Sequence, residues 1–223
     1  DSDDTAKVSE QDLQAHAASL IDDAKAGARV VEGPVEDAFA KAARTVQAEY
    51  TTASVLHFQL EPLNATALLK DGVWEIHTGN QWQSLILPTL AKALGVGEDK
   101  VVLRTYLLGG GFGRRLNGDY AVPAALAAKA LGKPVKLTFA RPDDARFDSF
   151  RSPSLQRLRM GFDAQGKVLA MQHDACAGWP TQVMAPALMP KAKNGVAYDP
   201  FAISGADHWY TVGAHRVRAI TND

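Results

Sequence analysis

The apolar positions near the start of the chain recur with the spacing of an α-helix. Between Ser9 and Ala26 they fall on one face, so the pattern predicts an amphipathic surface helix. A break at Glu32-Gly33-Pro34 follows, and a second short helix is predicted over residues 35–43, entered through the proline. We expect residues 1–50 to form an N-terminal helical segment that continues into a strand over 44–49.

The middle of the chain, residues 51–178, changes between the two-residue period of strands and the longer period of helices. Asp71-Gly72 between two alternating runs indicates a β-hairpin, and Gly95 is a natural helix end. Strands are predicted over 54–60, 65–70, 73–78, 101–108, 135–139, 155–162 and 168–175, and helices over 84–94 and 119–131. The order predicts an α+β fold, with a mixed or antiparallel sheet and flanking helices.

Beyond Gly178 the periodicity fades. Residues 179–223 are rich in Pro, Gly and Asn, so they are predicted to be mostly extended connections and loops. We expect this loop-rich tail to lead into a C-terminal part that the sequence lacks. The start at Asp1, without an initiator methionine or a signal-peptide pattern, favours a processed or excised piece of a longer protein.

Composition describes an ordinary globular chain. Its 223 residues are 46% hydrophobic and 22% charged, with a formal net charge of -1, so no excess of one sign favours nucleic acid or a membrane surface. The single cysteine, Cys176, excludes an internal disulfide and a cysteine-rich metal site. We expect it to be a small buried core residue rather than a nucleophile.

The most informative segment is the glycine loop, Gly109-Gly110-Gly111-Phe112-Gly113, which Arg114-Arg115 follows. Glycine allows the main chain to approach a ligand closely, so backbone amides can converge on an oxygen or an anion. The alternative is a tight strand-to-helix turn whose glycines only satisfy backbone geometry. The spacing matches neither a P-loop nor a G-x-G-x-x-G dinucleotide motif.

Four segments in fixed order resemble the molybdenum-binding subunit of the xanthine dehydrogenase and aldehyde oxidase family. They are His57-Phe58-Gln59-Leu60-Glu61-Pro62, Thr78-Gly79-Asn80-Gln81 with the following helix, the glycine loop, and Arg141-Pro142-Asp143-Asp144 with the hairpin after it. The doubled arginine and the residues after Glu61 are similar to the branch of isoquinoline 1-oxidoreductase large subunits and membrane-linked aldehyde dehydrogenases.

The resemblance implies a hydroxylase that oxidises aldehydes or N-heteroaromatic carbons with water as the oxygen source. It implies molybdopterin with molybdenum as cofactor, as the cytosine dinucleotide, and iron–sulfur clusters on a partner subunit. The implied partners are the remainder of the molybdenum subunit, a small [2Fe-2S] subunit and a cytochrome as electron acceptor, with no nucleic acid. A periplasmic or membrane-associated complex is favoured over a cytoplasmic enzyme.

The same resemblance assigns roles to individual residues. Gln81 matches a glutamine whose side-chain amide donates to a molybdenum oxo group, and the alternative is a turn or helix-capping glutamine. Gly110, Gly111, Phe112 and Gly113 match a loop against the cofactor, with the Phe112 ring as a pocket wall for substrate or, alternatively, a core residue.

The arginines and the remaining motif residues have competing interpretations. Arg114 and Arg115 are candidates for binding pyrophosphate or pterin oxygens through forked donors, or for pairing with Asp or solvent. Arg141 matches a position near substrate, although pairing with Asp143, Asp144 or Asp148 is favoured. His57 and Glu61 are predicted to be structural, and no residue is assigned as a metal ligand.

Two departures from the family pattern bear on activity. Leu116 stands where purine-oxidising relatives carry an acid, which argues against a purine substrate. The glutamate that acts as general base in a G-x-G-E segment is absent from this sequence, so we expect a fragment that does not turn over alone. The competing hypotheses are a non-catalytic accessory or interaction domain that keeps the scaffold without binding the cofactor, and a generic anion or nucleotide-phosphate binder.

Overall fold

The protein is described here by a computed structural model covering residues 7–206 and 210–223. The chain forms two compact units. Unit 1 comprises Asp1–Val55 and Arg151–Asp223, and unit 2 is the intervening segment Leu56–Phe150. The predicted segments 1–50 and 179–223 both supply strands to unit 1, and every motif that carried the family resemblance up to Asp144 lies in unit 2.

The chain contains both helices and strands along its whole described length. The α-helices are α1 (Glu10–Asp22), α2 (Val35–Ala40), α3 (Gln83–Leu94), α4 (Val122–Leu131), α5 (Arg141–Arg146) and α6 (Pro180–Met184). The strands are β1 (Ala28–Val31), β2 (Arg44–Thr52), β3 (Val55–Leu56), β4 (Asn64–Lys70), β5 (Val73–Gly79), β6 (Val101–Tyr106), β7 (Val135–Thr138), β8 (Phe150–Arg151), β9 (Ser154–Phe162), β10 (Val168–Ala177) and β11 (Ala214–Thr221). Short 3-10 turns lie at Glu98–Lys100, Asp119–Ala121, Pro186–Leu188 and Pro200–Ile203.

Unit 1 is built on a five-stranded sheet in the order β1-β11-β10-β9-β2. The pair β10–β11 is parallel and the other pairs are antiparallel. One face packs against α1, where Ile21, Leu155, Cys176 and Ile220 form a buried cluster. Burial there raises the pKa of the Cys176 thiol to about 11, which confirms the prediction of a buried core cysteine.

Unit 2 carries a four-stranded mixed sheet in the order β6-β5-β4-β7, with β5 and β6 parallel. Helices α3 and α4 bury their apolar faces with this sheet in one core, which includes Ile76, Leu90, Ala124 and Ala67. Small alanines on α4 allow close packing against the strands. The two sheets and their flanking helices confirm the predicted α+β fold with mixed strand directions.

Local signals in the sequence account for most element boundaries. Ser9 caps α1, because its hydroxyl accepts from Asp12 N–H while the Asp12 carboxylate accepts from Ser9 N–H. The hairpin predicted at Asp71-Gly72 joins β4 to β5, with Lys70 opposite Val73. Gly95 ends α3 with φ of 70°, the left-handed conformation that glycine adopts without strain.

The structure corrects three expectations. The strand predicted over 54–60 is reduced to β3, because the following residues are held by side-chain contacts within unit 2 rather than by a ladder. Strand β1 was not predicted. The tail predicted to be loops contains β11, which lies between β1 and β10 in the sheet. Arg216 and Arg218 face a polar cleft, so two charged residues stand at positions of this strand where the sequence pattern requires apolar ones.

Candidate functional site

Gln81 lies between the end of β5 and the start of α3, and three hydrogen bonds join it to Gly113, the last residue of the glycine loop, and to Arg115. Its side-chain Oε1 accepts from Gly113 N–H at 3.1 Å and from Arg115 N–H at 3.2 Å. Its own backbone N–H donates to the Arg115 carbonyl at 3.0 Å. Because backbone N–H groups only donate, the atom that they contact is the oxygen of the Gln81 amide, and these bonds leave Nε2 as a donor.

Two glycines of the loop have no room for a side chain. A Cβ on Gly111 would lie 2.3 Å from Gln81 Oε1, and one on Gly110 would lie 2.9 Å from the Phe112 ring. Gly110 also has φ of +96°, which favours glycine. The loop is therefore shaped around the Gln81 side chain, which brings together two segments that the sequence analysis assigned to one site.

Phe112 is held in an unusual conformation at the surface of unit 2. Its φ is +52°, in the left-handed region that aromatic residues rarely adopt, and its side chain is 60% exposed. The exposure argues against the alternative that Phe112 is a core residue. Such conformations cluster at ligand-binding segments, where the surrounding structure maintains the strain.

Several backbone amides of the loop and of the arginines after it are engaged within unit 2. Gly109 N–H donates to the Glu61 carboxylate at 2.9 Å, and Arg114 N–H donates to the Gly111 carbonyl at 2.8 Å. With Gly113 and Arg115 bound to Gln81, these four amides hold the loop together.

Arg115 lies at the centre of unit 2 with no exposed surface. Its Nη2 donates to the Glu61 carbonyl at 2.8 Å and contacts Glu61 Oε2 at 3.1 Å, and its Nη1 donates to the Gly79 carbonyl at 3.4 Å. A buried guanidinium requires such partners, because an unpaired charge in a core is strongly unfavourable. Arg115 thus links the Glu61 segment, the end of β5 and the glycine loop.

Arg114 is also buried, and its partners are two acidic side chains and a backbone carbonyl. Its Nη1 donates to Asp119 at 2.7 Å, its Nη2 donates to the Phe147 carbonyl at 3.0 Å, and its Nε lies 3.1 Å from Asp148. This geometry is the Asp-paired alternative. Neither arginine presents an unused guanidinium at the surface of unit 2, so the prediction that the pair binds cofactor oxygens has no geometric support here.

Glu61 connects the start of the loop to this buried network. Although partial burial alone would raise the pKa of Glu61, the hydrogen bonds from Gly109 and Asn64 and the charge of Arg115 outweigh it and lower that pKa. His57 likewise contacts Asp148 through Nδ1 at 2.9 Å and through its backbone N–H at 2.7 Å. Both residues have the structural role that the sequence predicted.

Arg141 pairs with Asp144, as the sequence analysis favoured. Its Nη1 donates to Asp144 Oδ2 at 2.6 Å and its Nη2 donates to the Leu60 carbonyl at 2.7 Å. Asp144 is buried and also accepts from Gln59, so Arg141 belongs to a second fixed network beside the loop segment. The side chain remains 37% exposed, which leaves the predicted contact with substrate open.

Sequence reasoning missed two residues of the site. Asn80 is buried, and its Nδ2 donates to Thr105 at 3.0 Å, but its Oδ1 has no hydrogen-bond partner among the described residues. Tyr120 is fully buried and donates its hydroxyl to the Gly79 carbonyl at 2.8 Å, and burial raises its pKa. The position of Asn80 next to Gln81 was the sequence signal that could have identified Asn80. No sequence signal indicated Tyr120.

Unit 1 has a separate polar cleft of about 630 Å³ between α1 and α2. Its charged lining residues are Asp22, Arg29, Glu32, Glu36, Asp37, Arg157, Arg159, Asp174, Arg216 and Arg218. The arginines are paired with acids, as in the contact of Arg218 Nε with Asp174 at 2.7 Å. The balanced charges mark this cleft as an internal ion-pair network rather than a cationic ligand site.

Metal-ligand clusters and membrane spans are both absent from the described part of the chain. No group of three or more His, Cys, Asp or Glu side chains within residues 7–206 and 210–223 is arranged to hold a metal ion. Over the same ranges, every helix is too short or too polar to cross a bilayer. The groups that the site in unit 2 offers to a ligand are the neutral side-chain amide of Gln81, the aromatic ring of Phe112 and the buried acceptor Asn80 Oδ1.

Comparison with known proteins identifies relatives of this arrangement. The molybdopterin cofactor-binding domain family matches residues 21–204. A membrane-bound aldehyde dehydrogenase [pyrroloquinoline-quinone] of Gluconacetobacter polyoxogenes is 62% identical over 98% of this chain, and the molybdenum-binding subunit PaoC of an aldehyde oxidoreductase of Escherichia coli K12 is 36% identical over 66%. The chain spans 29% and 20% of the lengths of these two relatives.

A solved structure supports the fold. The aldehyde oxidoreductase of Desulfovibrio gigas aligns with 87% of this chain and 21% of its own, with a TM-score of 0.67 and 24% sequence identity. A xanthine dehydrogenase of Oryza sativa and the isoquinoline 1-oxidoreductase subunit beta of Brevundimonas diminuta are also among the relatives, at 31% and 32% identity over 65% and 68% of this chain. The chain belongs to the molybdopterin cofactor-binding domain family, within the xanthine dehydrogenase and aldehyde oxidoreductase proteins.

Proposed function

We propose that this chain is a cofactor-facing part of a molybdenum hydroxylase that oxidises aldehydes or N-heteroaromatic carbons with water as the oxygen source. The observation that supports this most directly is that Gly113 N–H and Arg115 N–H both donate to Gln81 Oε1, which leaves Nε2 as a neutral donor on an exposed residue. The family match and the names of two relatives, an aldehyde dehydrogenase and an aldehyde oxidoreductase, support the same reaction class.

The residues beside the loop fit a molybdopterin cofactor. Such a group carries oxo oxygens that accept hydrogen bonds and a pterin whose ring nitrogens donate them. Gln81 Nε2 would donate to the former, and the buried Asn80 Oδ1, which has no described partner, would accept from the latter. The glycines at 110 and 111 would allow close approach, and Phe112 would exclude water from one side.

The bound cofactor would supply the two-electron oxidation and the transfer of oxygen. The contribution of this chain is orientation. Gln81 is neutral, so its donor strength does not depend on pH, and two backbone N–H groups fix its rotamer in advance. Glu61 and Arg115 hold the loop that carries Phe112, and Arg141 is a candidate for contact with the substrate.

The proton acceptor for the reaction is proposed to lie outside this chain. The carboxylates near the loop are already engaged: Glu61 with Arg115, Asp119 with Arg114, and Asp148 with Arg114 and His57. Each of the three already accepts contacts from a buried arginine, so none of them is free to take a proton from water. Losing such a base costs about 10²–10⁴-fold in rate, and this chain alone is therefore expected to be inactive.

The proposed partners complete the enzyme. They are the remainder of the molybdenum subunit, a small [2Fe-2S] subunit, and a cytochrome that accepts electrons, in a periplasmic or membrane-associated complex. The cytosine dinucleotide form of the cofactor belongs to the same proposal. The relative at 62% identity, whose name includes pyrroloquinoline quinone, defines the main alternative cofactor to be tested.

The second candidate function is an accessory domain that keeps the scaffold without binding the cofactor. The observation in its favour is the burial of Arg114 and Arg115, which removes the two cations expected to bind phosphate or pterin oxygens. Under this hypothesis the hydrogen bonds of Gln81 with Gly113 and Arg115 only stabilise unit 2. Metal content separates the two candidates, because the accessory domain predicts none.

The test uses the full-length subunit that contains this sequence, purified from a host that makes the molybdenum cofactor. We expect molybdenum and a pterin dinucleotide in about equal amounts with protein, and no pyrroloquinoline quinone. Gln81→Ala should reduce benzaldehyde oxidation without unfolding the protein, whereas Gln165→Ala, at an exposed turn of unit 1, should not. A subunit without molybdenum would overturn the proposal. If the purified subunit instead contained pyrroloquinoline quinone, the proposed cofactor would be wrong.

A further inference from the structure

Two contacts fix the main chain on either side of Asn80. The Gly79 carbonyl, at the end of β5, accepts from the buried Tyr120 hydroxyl at 2.8 Å. The Gln81 N–H donates to the Arg115 carbonyl at 3.0 Å. Because only Asn80 separates the two positions, a displacement of the Gly79 carbonyl also moves the point from which the Gln81 side chain extends.

The Tyr120 hydroxyl is the shortest of the described contacts on the Gly79 carbonyl. Arg115 Nη1 lies 3.4 Å from the same oxygen, which is long for a guanidinium donor. Thr78 Oγ1 lies 3.3 Å away, but its single proton is directed to the Asn64 carbonyl at 2.6 Å. The position of the Gly79 carbonyl therefore depends mainly on the tyrosine.

The burial of Tyr120 makes its hydroxyl a costly group unless it is hydrogen-bonded. The residue has no exposed surface, and a phenylalanine ring would fill the same apolar space without a polar atom. Burial also raises the pKa of Tyr120, so the hydroxyl keeps its proton and remains a donor. The described acceptor for that proton is the Gly79 carbonyl.

The turn that carries Tyr120 is held firmly within unit 2. The Asp119 carboxylate accepts from the Tyr120 N–H at 2.9 Å and from Arg114 Nη1 at 2.7 Å. Gly118, with φ of +74°, packs so closely on α3 that an added Cβ would lie 2.5 Å from Ile86. The turn can therefore hold the hydroxyl at a fixed position relative to the start of α3.

We propose that Tyr120 is a positioning residue for Gln81, acting through the Gly79 carbonyl. Without the hydroxyl, this carbonyl would depend on the Arg115 guanidinium, which would have to move toward it. The backbone N–H and carbonyl of Arg115 are the groups that bind Gln81, so this movement would loosen both bonds. The consequence for catalysis rests on the proposed function, whereas the consequence for the contacts of Gln81 does not.

Hydrogen exchange in the full-length subunit that contains this sequence tests the proposal. Tyr120→Phe keeps the ring and removes only the hydroxyl. The amides of Gly113 and Arg115, which both donate to Gln81 Oε1, should exchange at least about fivefold faster than in the native subunit. Amides of β4, an interior strand of the same sheet, should change by less than about twofold.

Tyr106→Phe is the matched control. The Tyr106 hydroxyl contacts His77 Nδ1 at 2.9 Å at the end of β6, so this variant also removes a hydrogen-bonded hydroxyl from unit 2. Exchange at Gly113 and Arg115 should stay at the native rate. If Tyr120→Phe accelerated exchange equally throughout unit 2, Tyr120 would be only a core residue; that result, or unchanged exchange at Gly113, would overturn the proposal.

A double-mutant cycle on the molybdenum-loaded subunit separates positioning from general stability. Tyr120→Phe should lower kcat for benzaldehyde in the native background, but by less than about twofold when Gln81 is already replaced by Ala. Independent effects of the two substitutions would show that Tyr120 does not act through Gln81 and would also overturn the proposal. A subunit without molybdenum would refute the proposed function alone, because the exchange measurement needs no cofactor.

Discussion

Glu61 and Gly109 are joined by two hydrogen bonds that run in opposite directions. The Glu61 N–H donates to the Gly109 carbonyl at 3.1 Å, and the Gly109 N–H donates to the Glu61 carboxylate at 2.9 Å. The same carboxylate contacts the buried Arg115 at 3.1 Å. The start of the glycine loop is thereby fixed to the core of unit 2, while Gln81 fixes its end.

Removal of the Glu61 carboxylate is expected to loosen the loop. Glu61→Ala would leave Gly109 N–H and one side of Arg115 without a partner, so trypsin should cleave after Arg114 or Arg115 at least about tenfold faster than in the native chain, a change equivalent to about 1.4 kcal/mol. Glu61→Gln keeps an acceptor for Gly109 and should show a smaller effect. Mass spectrometry of the fragments gives the site and the rate.

The control for this comparison is Glu98→Ala, which removes an exposed carboxylate from a 3-10 turn of the same unit. Its cleavage pattern should match that of the native chain. Equal resistance of the Glu61→Ala variant and the native chain would show that the contact does not hold the loop.

Gly111→Ala is expected to displace Gln81. The added Cβ would lie 2.3 Å from Gln81 Oε1, so the side chain must leave its bonds with Gly113 and Arg115. We expect a loss of about 1–3 kcal/mol in the free energy of unfolding, measured with urea, and faster hydrogen exchange at the two released amides. The comparison variant is Gly166→Ala. Gly166 has a positive φ, but nothing lies within 4 Å of the added carbon, so this variant tests an added methyl group without a steric clash. Unchanged exchange at Gly113 would contradict the prediction.

Arg115→Lys should be strongly destabilising although it preserves the charge. A lysine ammonium cannot reach the carbonyls of Glu61 and Gly79 and the Glu61 carboxylate with the geometry of the guanidinium fork. The expected loss in the free energy of unfolding is about 2–4 kcal/mol. Arg104→Lys, at a half-exposed pair with Glu75, should change stability by less than about 0.5 kcal/mol. Similar values for both variants would show that the burial of Arg115 carries no special cost.

Stability should fall as the solution is acidified through the range where histidine titrates. Burial lowers the pKa of His173, against the charge of Asp174, and the nearby His215 lowers it further. The unfolded chain therefore binds a proton more readily than the folded chain, so stability is present above about pH 6.5 and is lost as the pH falls toward the folded pKa. His173→Gln should flatten this part of a urea-derived stability curve, and His16→Gln on α1 should not. A native curve that is already flat between about pH 5 and 7 would contradict the prediction.

The candidate site was predictable from the sequence where local rules apply. Glycines with an aromatic residue between them, and a glutamine between a strand and a helix, are local patterns, and the structure does bring Gln81 to Gly113. The environment of Arg115 was not predictable, because its burial depends on carbonyls that lie far along the chain at Glu61 and Gly79. A doubled arginine after a glycine loop otherwise resembles a solvent-exposed cation pair.

Strand β11 shows the same limit in the fold. Its sequence alternates, but Arg216 and Arg218 occupy the face that a simple pattern assigns to the core. Arg218 is nevertheless buried, since it donates to the Ile21 carbonyl at 2.7 Å and the Asp23 carbonyl at 2.9 Å, at the end of α1. These carbonyls lack partners within the helix, so the arginine satisfies them as a cap supplied by a distant strand.

The register of β2 with β9 makes unit 1 a scaffold with an insertion site. Thr52 lies opposite Ser154 at the end of this antiparallel pair, and their hydroxyl oxygens are 2.9 Å apart. The chain leaves unit 1 and returns to it at adjacent points, which a short turn of a few residues could connect. The segment that carries Gln81 and the glycine loop is therefore exchangeable in principle: it could be excised, or transplanted from a relative, without breaking any ladder of the host sheet.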